Sequence, residues 1–100
     1  MRGKYNFENE YEKISLTQTI EWEIERLFNK NLDEVELCQY DISPFQLCEI
    51  LEALGWGEDY SEYNKENLWC KYSKENKTIL VMANVDIFSL QLIQCEEEEQ

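Results

Sequence analysis

Leu16, Ile20, Ile24, Leu27 and Phe28 recur at helical intervals and, at 100° per residue, share an arc of about 120°. The spacing predicts a first helix over Ser15 to Asn29. Ser15-Leu-Thr-Gln18 would open it, a pattern in which the two polar side chains close unpaired amides at a helix start. Gln18, Glu21, Trp22, Glu25 and Asn29 project from the other side, where a tryptophan is out of place. Upstream, Tyr5, Phe7, Tyr11 and Ile14 shift from two-residue to three- and four-residue spacing, which fits a short strand or an arm running into the helix.

After the polar loop from Lys30 to Asp33, Val35 to Ile42 alternates with Cys38, Tyr40 and Ile42 on one side and predicts a strand. Ser43 then supplies an N-cap oxygen and Pro44 a first helical position where its missing N–H costs nothing. A second helix follows over Pro44 to Leu54, with Leu47, Cys48, Ile50, Leu51 and Leu54 on a wide apolar arc. Gly55 closes it, and Trp56 packs back on its last turn. Residues 57–67 contain no aliphatic side chain and read as a surface loop. Leu68 to Ser73 is β-prone, 74–77 a four-residue turn, and Thr78 to Ala83 a continuous apolar run. That run predicts a central strand covered on both faces. Asn84-Val85-Asp86 turns the chain again, Ile87 to Cys95 forms a last strand, and 96–100 is an acidic tail. The order predicts an α+β fold of two layers, an antiparallel β-meander with two helices packed on one face. It forms a single domain over 1–95.

Composition narrows the chemistry. One hundred residues of which 43% are hydrophobic support a single core and no second domain. Twenty-two Asp and Glu against nine Lys and Arg leave a net charge of -13. Duplex DNA, RNA and anionic lipid are therefore repelled, and neither direct nucleic-acid binding nor membrane binding is expected. The absence of histidine removes Ser-His-Asp and Cys-His nucleophile pairs and His-liganded zinc. No apolar run approaches the roughly 20 residues of a membrane span. Without a leader-like apolar segment, a soluble cytoplasmic protein is expected. Cys38, Cys48, Cys70 and Cys95 form no C-x-x-C pair, and their apolar neighbours predict buried, free thiols.

Candidate chemistry is correspondingly sparse. In the acidic stretch, Asp59-x-Ser61-x-Tyr63-Asn64 lacks the third acid and the glycine of an EF-hand loop, so no calcium site is expected. No pair among the acids stands out as a glycosidase-type couple. Neither a catalytic residue nor a cofactor is expected. The same stretch joins Glu58, Asp59, Glu62 and Glu66 to Tyr60 and Tyr63, with Lys65 alone opposing them. Carboxylates interleaved with tyrosine can replace phosphates against a basic protein surface and add flat contact area. The competing reading is a solvated loop whose tyrosines lie over the sheet. Trp22, flanked by Glu21 and Glu25, is either an exposed anchor or the place where the aromatic arm packs; Trp56 and Trp69 are assigned to the core.

An acidity this large destabilises a small compact fold by self-repulsion, and its use is fast, salt-sensitive association with a strongly basic surface. The expected function is a small inhibitory binding protein that blocks a basic nucleic-acid-binding protein by nucleic-acid mimicry. The alternative is an immunity or adaptor protein that neutralises a basic toxin or another basic partner. In size, acidity and aromatic content the chain is similar to small phage or mobile-element proteins that occupy the DNA groove of a host CRISPR or other defence nuclease. It is similar in the same respects to bacterial toxin-immunity proteins.

Overall fold

A computed structural model of the chain describes residues 7, 9–64, 66–84 and 89–95. It contains α1 (Glu10–Asn29), β1 (Glu34–Glu36), α2 (Pro44–Ala53), β2 (Gly57–Tyr63), β3 (Asn67–Lys74), β4 (Lys77–Asn84) and β5 (Ser89–Cys95). All strands pair antiparallel in one sheet of order β1-β5-β4-β3-β2. The two helices pack on one face of it, the two-layer α+β arrangement the residue pattern predicts. β4 is the middle strand, as expected of its apolar run.

Both helices are bounded by their own side chains. α2 begins in a capping box: Ser43 Oγ accepts from the Gln46 amide at 3.1 Å, and Gln46 Oε1 accepts from the Ser43 amide at 2.9 Å. It ends in a Schellman motif, with the Gly55 N–H donating to Glu52 O and the Trp56 N–H to Leu51 O. Gly55 holds a φ of +99°, open only to a residue without Cβ. α1 ends in the same way through Asn31, at a φ of +52°. It starts five residues earlier than Ser15, however. Asn9 is the cap, its Oδ1 accepting from the Glu12 amide at 2.8 Å, and Ser15 lies inside the helix. Tyr11 and Ile14, three residues apart, lie in these early turns, but both are exposed and add nothing to the apolar arc that marks the rest of the helix.

Three further expectations are corrected. The strand predicted over Val35 to Ile42 is only three residues long. After Leu37 the chain turns, Tyr40 N–H donating to Leu37 O and Ile42 N–H to Tyr40 O. The 57–67 loop is largely a strand, β2, every residue of which is exposed. An edge strand that buries nothing shows no alternation to read. The turn at 74–77 narrows to Glu75-Asn76, with Lys74 and Lys77 paired across it and Glu75 at a φ of +58°. Tyr5, the turn at 85–86, the first two residues of the predicted last strand and the tail lie outside the described residues.

The core lies between the layers. Ile20, Ile24 and Leu27 of α1 and Leu47, Ile50 and Leu51 of α2 meet Tyr72, Ile79, Val81 and Leu92 from the sheet. Trp56 is buried there, stacked on Phe28 with centroids 6.4 Å apart. Strand burial alternates: Leu68, Cys70 and Tyr72 of β3 are buried, whereas Trp69, Lys71 and Ser73 are partly exposed. The pattern continues on β4 and β5, where Leu80, Met82, Gln91 and Ile93 stay partly exposed. By the described residues β4 is therefore covered on one face, not two, and Trp69 stands outside the core.

All four cysteines are free. Cys48 and Cys70 are buried with their sulfurs 3.8 Å apart, Cys95 is partly buried and Cys38 is exposed. The exception has a cause, since Cys38 follows β1 in the turn just described. Its thiol bonds Glu36 and is thereby held above its usual pKa. Because the thiolate is the reactive form, labelling of the folded protein should be confined mainly to Cys38, and Glu36→Gln should accelerate it. Four thiols should react in denaturant. Rapid labelling of Cys48 or Cys70 without denaturant would contradict this packing.

Candidate functional site

β2 builds the acidic surface. Glu58 stands opposite Tyr72, on the helix side of the sheet. A bulge then inserts Asp59, whose Oδ2 accepts from Ser73 Oγ at 2.6 Å. Beyond the bulge Tyr60 pairs with Lys71 and Glu62 with Trp69 on the uncovered face, while Ser61 and Tyr63 return to the helix side. Tyr63, 69% exposed, meets Phe45 of α2 edge-on with centroids 5.9 Å apart. Asn64 ends the strand in an Asx turn, its Oδ1 accepting from the amides of Glu66 and Asn67. Glu66 is thus set on the exposed outside of that turn.

Among the described residues, no Lys or Arg lies within ion-pair distance of Glu58, Asp59, Glu62 or Glu66. The bulge has a second effect on them. Without it Glu58 and Glu62, four residues apart, would project to the same side; with it they project to opposite sides. The strand therefore shows carboxylate to both faces of its edge.

Glu21, Trp22 and Glu25 do not join this surface. Their helix, α1, packs against β1 and β5, and it is α2 that contacts β2. Glu21 and Glu25 line a groove of about 220 Å³ with Phe28, Trp56 and two lysines, Lys74 and Lys77. Lys74 Nζ donates to Leu54 O at 2.8 Å and Lys77 lies over the Phe28 ring, so two cations share the groove with those acids. Trp22 borders a different hollow, with Thr19 and Tyr40. It is 59% exposed and carries the Arg26 guanidinium 5.6 Å from its ring centre. Of the two readings of Trp22, exposure is the one seen, but apart from the acids of β2.

Two features lay outside the sequence reading. Glu23, at the border of the apolar arc of α1, is 1% exposed. One of its oxygens accepts from Arg26 Nε and Nη2 at 3.3 and 3.1 Å, and the other from the Tyr40 hydroxyl. That bond, then burial, keeps the Tyr40 hydroxyl above its ordinary pKa. The second feature is the sheet face that no described element covers, marked in the sequence by the alternation around Lys71 and around Gln91.

A groove of about 450 Å³ opens between the 38–46 segment and the ends of β4 and β5, lined by Cys38, Tyr40, Ile42, Pro44 and Leu90. Its thiol is pushed up by Glu36, opposite to the direction an activated nucleophile needs. No group of three or more Cys, Asp or Glu among the described residues could hold a metal ion. No described helix is long and apolar enough to cross a membrane. No protein-family model, curated protein or solved structure matches the chain.

Proposed function

We propose that this protein is an acidic inhibitory binding protein that occupies the nucleic-acid site of a basic partner. The observation that carries the reading is β2, an edge strand exposed along its whole length, with carboxylates that no cation pairs among the described residues. Glu58, Asp59 and Glu62 lie within about 13 Å of extended chain, two intervals that average ~6.6 Å. Each strand of B-DNA carries roughly one charge per 3.4 Å of axis, about twice that density. Lysines and arginines arranged for phosphates would meet a sparser row of charge on a rigid support. Tyr60 and Tyr63 supply the flat apolar contact that phosphates lack. Blocking is steric and electrostatic and requires no catalysis.

Immobilised protein should retain a basic nucleic-acid-binding protein from lysate of the producing cell or its host and release it in a salt step. With that partner purified, added salt should weaken the complex mainly through the association rate. The partner's DNA or RNA should compete with this chain for one site. A ternary complex with the nucleic acid still bound would overturn the mimicry. A basic partner with no nucleic-acid activity would favour the immunity or adaptor reading instead.

A further inference from the structure

The face of the sheet turned away from the helices has a composition unlike a solvated surface. Strand register places Glu62, Trp69, Met82, Gln91 and Glu36 in one row across all five strands. The neighbouring row is Tyr60, Lys71, Leu80, Ile93 and Glu34. The centre of the face is thus Trp69, Leu80, Met82 and Ile93, all partly exposed, with both helices on the other side. Carboxylates stand on the two edge strands, about 19 Å apart across four inter-strand gaps. Gln91 Nε2 holds those of β1 in place, donating to Glu36 at 2.8 Å and Glu34 at 3.4 Å. Asp59 is fixed at the opposite edge by Ser73. Lys71 is the one cation among the described residues of the two rows.

We infer that this face docks a basic protein surface with an apolar centre, its cations reaching the carboxylates at both edges while the centre covers Trp69 and Met82. The inference rests on the binding function proposed above and gives it a surface larger than β2 alone. Tryptophan and methionine are enriched at protein interfaces, and glutamate and aspartate belong at their rims, which is the arrangement here. Charge complementarity selects the occupant. A second copy would set one acidic rim against another in a protein of net charge -13, and a nucleic acid would bring more negative charge.

Two synthetic peptides test the inference without the natural partner. One has two arginines at each end and four leucines between them; the other has glycines in place of the leucines. In NMR titrations the leucine peptide should bind at least about tenfold more tightly, the worth of burying on the order of 60 Å² of apolar surface. Its shift changes should gather at Trp69, Leu80, Met82 and Ile93. Leu80→Gln with Met82→Gln should abolish the preference and leave glycine-peptide binding unchanged. Trp69→Gln, at another strand, gives a second route if that variant fails to fold. Equal binding of both peptides, with changes confined to β2, would overturn the docking face and leave the electrostatic function standing. Binding of neither would overturn both. Shift changes that grow with protein concentration alone would assign the face to self-association and overturn the inference.

Discussion

Glu23→Ala should lower the unfolding free energy by about 3 kcal/mol, because it strands two partners at once. Glu23 is buried between α1 and the segment after β1, bonded by Arg26 on its own helix and by Tyr40 seventeen residues away. Removing its carboxylate leaves the partly buried Tyr40 hydroxyl without an acceptor and Arg26 without its anchor. In a domain of this size each kcal/mol corresponds to about 4–8 °C in Tm. Tyr40→Phe should cost about 1.5 kcal/mol, since the vacated oxygen can still recruit water. Chemical denaturation of both single variants and the double variant checks the claim. The double should be less destabilised than the sum of the singles, and strict additivity would show that the bond contributes nothing.

Reversal of Glu58, Asp59, Glu62 and Glu66 to lysine should weaken binding to the basic partner by two orders of magnitude or more. Reversal of Glu96 to Glu99 should cost roughly tenfold or less. Each set reverses four carboxylates, so the two variants share one net charge and differ only in where it changed. Long-range attraction depends on the total and falls off over a Debye length of about 8 Å at physiological salt, whereas contact pairs depend on place. β2 has no buried side chain, so its reversal should leave the fold intact, which circular dichroism checks. Equal losses would reduce the strand to a share of overall charge. No loss in either variant would remove the electrostatic basis of the proposed function and turn attention to Trp22.

The elements legible in the sequence are those whose signal is local. Ser43, Pro44 and Gly55 bound α2 through bonds spanning three to five residues, so that helix can be read without knowing what it packs against. The β3–β4 hairpin and the central place of β4 follow from β-prone runs around a short polar turn. β2 was not legible because a strand exposed on both sides is defined only by hydrogen bonds to β3, which leave no mark in its own residues. The four acids and two tyrosines are therefore marked by their chemistry, whereas the strand carrying three of those acids and both tyrosines, and the bulge that aims Glu58 and Glu62 apart, are not.

By itself the sequence determined charge, the two helices, the hairpin and the two-layer class, since net charge is a sum and caps, turns and apolar periodicity act within a few residues. Tertiary structure decided which apolar residues are covered. Thr78 to Ala83 reads as a continuous apolar run, the pattern of a strand enclosed on both faces, yet its burial alternates as in a strand enclosed on one. Packing both helices on one side left Trp69, Leu80, Met82 and Ile93 outside the core, and strand pairing set the acids of β1 and β2 at their flanks. Glu23 and Tyr40 became partners by the same route. Contacts between residues distant in the chain depend on how layers stack and strands register, which no local window contains.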